Sequence, residues 1–141
     1  ESLDQITARV EGMKPRSCVL AILDTLEYVH RGGRTNWATA MIGTLLHVKP
    51  IAGVHLGKVE LFERTRTIKR SLERLIERIQ ALGQMERAIV LHTNAPALAA
   101  RLSRQFQAAN PEWEPLIAQA GVTIASHVGP GAVGVAVVTA G

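Results

Sequence analysis

Apolar and polar positions change period along the chain, and each change marks an element. Leu3, Ile6 and Val10 recur at helical spacing over residues 2–11, with Ser2 placed as the cap and Gly12 and Pro15 placed to end the helix. A continuous apolar run over 17–23 has strand length and predicts a buried strand. Asp24 is placed to cap a short helix over 25–30, which Gly32 and Gly33 stop. A second helix is expected over 36–46, capped by Asn36, with Ala38, Met41, Ile42, Leu45 and Leu46 as its apolar stripe. Residues 49–54 and 58–63 read as a hairpin turning at Leu56-Gly57.

The clearest period lies over 67–82. Ile68, Leu72, Leu75, Ile76 and Ile79 share one helical face, and arginines interleaved with Glu73 and Glu77 share the other. Gly83 ends that helix. A strand is expected over 87–92, then a helix capped by Thr93 or Asn94 and broken at Asn110-Pro111. Extended segments are expected over 116–120, 122–126 and 132–138. Five or six strands mixed with four or five helices, partly joined by hairpins, predict an α+β two-layer sandwich. Its sheet should be mostly antiparallel and covered by helices.

Composition narrows the classes. The 141 residues are 47% apolar and 20% charged, which suits one globular domain with a real core. Aromatic residues make up 4%, too few for a base-stacking platform, so nucleic acid is not the expected partner despite a net charge of +4. Cys18 is the one cysteine; it can close no intramolecular disulfide and fits a reducing, cytoplasmic setting. The chain opens on Glu1 rather than methionine, as a piece of a longer protein would.

Candidate chemistry concentrates in Ser126-His127-Val128-Gly129-Pro130-Gly131-Ala132-Val133-Gly134. An imidazole followed by a glycine turn suits an anion, because the turn's N–H groups can converge on it. A plain structural hairpin with a histidine at a strand end fits the same residues. Arg34 follows two glycines near a helix start, a good position for a carboxylate or phosphate, or simply an exposed loop. Arg64 and Arg66 offer either a docking point for an acidic partner or a solvated strand end. The five histidines have no metal-ligand spacing, no nucleophile motif occurs, and His47 and His92 read as structural.

Taken together, these segments resemble the DegV family. Residues 23–29 with Gly32-Gly33-Arg34 are similar to its DTLEYL…GGR segment, and residues 42–51 to its GxLLxIKPI segment. Arg66-Thr67 with Lys69-Arg70 resembles RTxKK, and residues 126–134 resemble HTGPGALG. The segments occur in family order over residues 19–138. Thr35 and Val128 depart from the usual aliphatic residue and threonine.

The resemblance implies a two-domain carrier that holds a long-chain fatty acid between its domains and presents the carboxylate to a bacterial fatty-acid kinase. It implies no catalysis by the carrier, and no cofactor or metal beyond the bound fatty acid. Residues 1–16 would be the end of a connecting helix from a missing N-terminal domain, and 17–141 the C-terminal domain. By position, Arg34 and His127 would serve the carboxylate, with Gly129 and Gly131 in the turn beside it. Gly43, Leu46 and Ile51 would line or support the acyl tunnel. Arg66 would face the kinase, and a transient membrane contact would accompany ligand exchange. The competing reading is a small acyl- or phosphate-handling enzyme with His127 as its acid/base.

Overall fold

The computed structural model describes residues 1–33, Asn36, Ala38 and 47–141. Helix α1 (Leu3–Met13) opens in a capping box: the Ser2 hydroxyl accepts from the Gln5 N–H, and the Gln5 side chain accepts from the Ser2 N–H. It continues through Gly12 into a 3-10 turn, Lys14–Arg16, so Pro15 marks its end. None of its residues is buried. Leu3, Ile6 and Val10 are 77%, 46% and 49% exposed.

Then come β1 (Ser17–Ile22), α2 (Glu27–Arg31), β2 (Lys49–His55), β3 (Lys58–Thr65), α3 (Ile68–Gln80) and β4 (Met85–His92). They are followed by α4 (Pro96–Ala109), β5 (Leu116–Gln119), α5 (Val122–Val128) and β6 (Val133–Thr139). The six strands form one sheet in the order β3-β2-β1-β6-β4-β5. Every neighbouring pair is antiparallel except β4 with β5, which run parallel because α4 crosses between them. The β2–β3 turn places Leu56 at φ 48° and Gly57 at φ 75°, the paired positive values that match the twist of a tight hairpin.

Helices α3 and α4 cover one face of the sheet. Leu72, Leu75 and Ile79 from α3 and Leu102 and Phe106 from α4 are fully buried against Leu20, Ile22, Ile51, Val90, Val133, Val135 and Val137. The expected amphipathic face of α3 is therefore the main core contact. Its polar face is anchored as well: Arg74 Nε donates to Glu63 Oε1 at 2.7 Å, and the Arg78 guanidinium lies 4.7 Å over the Phe62 ring. Helices α2 and α5 sit on the opposite face at one end, around a smaller cluster of Leu23, Leu26, Val29 and Ala132.

Four local expectations need correction. Residues 122–126 belong to helix α5, not to a strand. Asp24 does not cap α2; it pairs with Lys49, while the Thr25 hydroxyl accepts from the Glu27 N–H. Neither Thr93 nor Asn94 caps α4, because the His92 Nδ1 accepts from the Ala95 N–H instead. His92 is thus structural as expected, but His47 is an exposed turn residue at φ 71°. Most of the helix expected over 36–46 lies outside the described residues.

Candidate ligand cleft and the glycine turn

The second face of the sheet carries small side chains in register. Ala52 pairs with Ala21, Ala21 with Gly134, Gly134 with Leu91, and Leu91 with Ala118. Alternation along each strand puts these residues on one face and their larger neighbours on the other. The result is a trough. At the α2/α5 end it forms a cleft of about 280 Å³ whose floor includes Ala21, Ala52 and Gly134. Its walls include Leu23 and Val29 on one side and Ile124, Val128 and Ala132 on the other. Towards α1 the trough opens into a groove of about 930 Å³ that shares Val19 and Val54 with the cleft and reaches Val10 and Met13.

At the end of the cleft lies the glycine turn. Helix α5 ends at Val128, Gly129 and Gly131 take φ 75° and 85°, and β6 begins at Val133. The element before the turn is a helix, so the imidazole sits on a helix end and not at a strand mouth. Positive φ is as expected for these glycines, but their N–H groups are not free for an anion. Gly129 donates to the Ala125 carbonyl, Gly131 to the Thr93 carbonyl, and Ala132 to the Thr93 hydroxyl. The glycines act by shape instead. A Cβ on Gly129 would stand 2.3 Å from the Tyr28 ring, and one on Gly131 would stand 3.1 Å from the Asp24 Cβ. The 24–29 segment and the glycine turn, distant in sequence, therefore pack directly on each other.

His127 is half-buried on the last turn of α5, against the turn that follows α2: a Cβ on Gly32 would lie 2.8 Å from its Nδ1. Ile51 does not line the cleft. It is fully buried in the α3/α4 core, and regular alternation along β2 puts Ala52, not Ile51, on the cleft side; the irregularity in the β2–β3 pairing lies at Phe62 on β3. Arg34, Gly43 and Leu46 lie outside the described residues. Arg66 is exposed on the rim of a polar depression of about 870 Å³ that Asp24, Glu27, His47 and Lys49 also line. Its neighbour Thr65 is buried, donating to the Lys49 carbonyl at 3.2 Å and bonded to the Ser71 hydroxyl at 2.5 Å. This buried pair fixes the strand end from which Arg66 projects.

Sequence reasoning missed Ala21, Ala52, Leu91 and Thr93 as cleft residues; only the shared strand register could have drawn the strand residues among them together. Among the described residues no three His, Cys, Asp or Glu side chains gather as a metal group would, and no helix is long and apolar enough to cross a membrane. Burial pushes the Cys18 thiol up, away from the reactive thiolate.

Residues 1–140 match the family model described as "Uncharacterised protein, DegV family". The chain is 35% identical over 137 residues to the DegV domain-containing protein lmo2514 of Listeria monocytogenes, covering 95% of this chain and 48% of that protein. It thus spans about half the length of the curated relatives it matches. A DegV family protein of Thermus thermophilus, solved for its fatty-acid binding, superposes with a TM-score of 0.86 at 31% identity, over 99% of this chain and 51% of that one. The Streptococcus pneumoniae Fatty Acid Kinase (Fak) B3 protein, solved loaded with linoleic acid, has the same fold with a TM-score of 0.85 at 16% identity, over 99% and 50%. The α+β fold with its six-stranded sheet is shared with these structures, and by the extent of the match the chain belongs to the DegV family.

Proposed function

We propose that this chain is the C-terminal half of a fatty-acid carrier, holding one wall of the acyl site and the imidazole beside the carboxylate. One observation carries the reading: an aliphatic cleft on the open sheet face ends at Val128 and Ala132, the two sides of the turn that follows His127. An acyl tail wants small and aliphatic neighbours, and each methylene buried contributes about 0.8 kcal/mol, so the tail would supply most of the affinity. The head group would then fix register, with His127 and Arg34 in the roles the family resemblance implies. Relatives that bind fatty acids support this reading, as the Thermus protein does.

The groove along β1, β4 and β6 and the exposed stripe of α1 would be covered by a preceding domain, with α1 as the end of the connecting helix. Arg66, on its polar rim, would meet the acidic surface of a fatty-acid kinase, in keeping with the kinase-named neighbour of the same fold. The carrier performs no chemistry itself, needs no cofactor or metal, acts in the cytoplasm, and touches membrane only in passing. Gly129 and Gly131 serve the site by letting Tyr28 and Asp24 approach.

Native mass spectrometry of the full-length protein, purified without added lipid, tests the reading. A long-chain fatty acid retained at near one-to-one stoichiometry is the expected result. Arg34→Ala and His127→Ala should weaken retention, whereas Arg66→Ala should keep the lipid and lose phosphorylation by the kinase. An empty protein that takes up no fatty acid when offered would sink the carrier reading and favour the enzyme alternative through His127.

A further inference from the structure

Thr93 lies between β4 and α4, is 4% exposed, and spends every polar atom it has on the glycine turn. Its N–H donates to the Ala132 carbonyl at 2.9 Å, and its carbonyl accepts from the Gly131 N–H at 2.6 Å. Its hydroxyl donates to the Gly129 carbonyl at 2.5 Å and accepts from the Ala132 N–H at 3.0 Å. Residue pairing between β4 and β6 stops at His92 and Val133, so the Thr93 hydroxyl extends the connection where the backbone ladder ends.

Helix α5 depends on this anchor. It contains no fully buried residue, and only Ala125, His127 and Val128 are half-buried. Apolar packing alone therefore fixes its angle weakly, and the turn at its end has the larger hold. That turn contains two residues at positive φ and a proline without an N–H. Its shape is held from outside, by hydrogen bonds from Thr93 and by the close packing of Tyr28 and Asp24.

We propose that Thr93 is a positioning residue for the head-group end of the site: its hydroxyl fixes the 129–132 turn and, through it, the placement of His127 beside Gly32. This assignment rests on the fatty-acid reading above. Thr93→Val keeps the shape of the side chain but leaves the Gly129 carbonyl and the Ala132 N–H without their partner, whereas Thr93→Ser keeps the hydroxyl. Thr93 also lines the cleft, so the comparison of two ligands with the same tail, and not the affinity for either one, reads the head-group end.

The experiment measures the affinity of the full-length protein for palmitate and for hexadecanol, which share a tail and differ in the head group. Wild type should favour the acid. Thr93→Val should shrink that preference by about tenfold, the scale of one hydrogen bond to a charged group. Thr93→Ser should restore the preference. An unchanged preference in Thr93→Val overturns the assignment, and so does an equal loss for both ligands, which a merely structural role would give. Should Thr93→Val fail to fold, Thr93→Ser decides: a preference within about twofold of wild type upholds the assignment, and a larger drop overturns it. A wild type that binds neither ligand defeats the carrier reading itself and takes this assignment with it; a discriminating wild type beside an unchanged Thr93→Val defeats the assignment alone.

Discussion

The two faces of the sheet are made from the same strands and do opposite things. On the covered face, Ile22, Ile51, Val90, Val133 and Val135 are at most 1% exposed beneath α3 and α4. On the open face, the intervening positions of β1, β2 and β6 are Ala21, Ala52, Gly134 and Ala136, opposite Ile89 and Leu91 of β4, and they leave a trough. Size, more than polarity, separates the faces, since both are apolar. A face meant for solvent would alternate to polar residues. A face meant for a permanent helix would carry larger ones to fill the layer. Small apolar residues leave room for something that is itself apolar.

That division of labour predicts a graded response to substitution. The largest effect belongs to the covered face: Phe106→Ala should cost about 3–5 kcal/mol of stability by emptying a closed core site, read as a lower denaturation midpoint in urea. Next comes the turn that bounds the open face. Gly129→Ala places a side chain at φ 75° against the Tyr28 ring and should cost about 1–3 kcal/mol, seen in the same measurement.

Ala21→Leu should separate the faces most cleanly. It fills the cleft floor, so fatty-acid affinity should fall by about tenfold in calorimetry while the urea midpoint stays within the range of an ordinary surface change, about 0.5 kcal/mol. If both fall together, the open face is part of the folding core and the contrast is wrong.

The smallest effect concerns charge at the covered face's edge. The Arg74 hydrogen bond, with the charges of Arg74 and Arg78, holds the Glu63 carboxyl below its ordinary range. A group lowered on folding stabilises above its unfolded value of about 4.3 and loses that contribution as pH falls through the folded value. Glu63→Gln should therefore flatten the acid end of the stability curve, as circular dichroism melts below about pH 5 would show.

Most of the architecture was legible in the sequence because its period was strong where its packing is strong. The α3 stripe and the hairpin at Leu56-Gly57 read correctly, and the apolar run of β1 is a strand as expected, but only Leu20 and Ile22 of it are buried, since its other face is open. Val122–Val128 did not: valine, threonine and isoleucine favour strands, and a seven-residue helix with no buried residue leaves almost no helical period to detect. Caps failed for a related reason. Thr93 has a cap's chemistry, but a turn distant in sequence claims its hydroxyl.

The site was legible only as segments. The meeting of residues 24–29 with the glycine turn depends on Gly129 admitting the Tyr28 ring, which no spacing announces. Ile51 was expected to line or support the tunnel because strand alternation alone cannot say which face is open; its side chain falls on the covered face and that of Ala52 on the open one.

Arg16 joins α1 to the sheet. Its guanidinium donates to the Gly12 carbonyl at the end of α1, to the Thr139 carbonyl at the end of β6, and to Glu86 on β4 at 2.7 Å. Ser17 adds a hydroxyl bond to the Met13 carbonyl. Since α1 buries none of its own side chains, its attachment to the sheet is a polar swivel and not an apolar seat. Such a joint resists tilting less than a packed one and softens as salt screens the Arg16–Glu86 pair. Raised salt should therefore loosen α1 from the sheet while the α3/α4 core, held by apolar packing, stays closed.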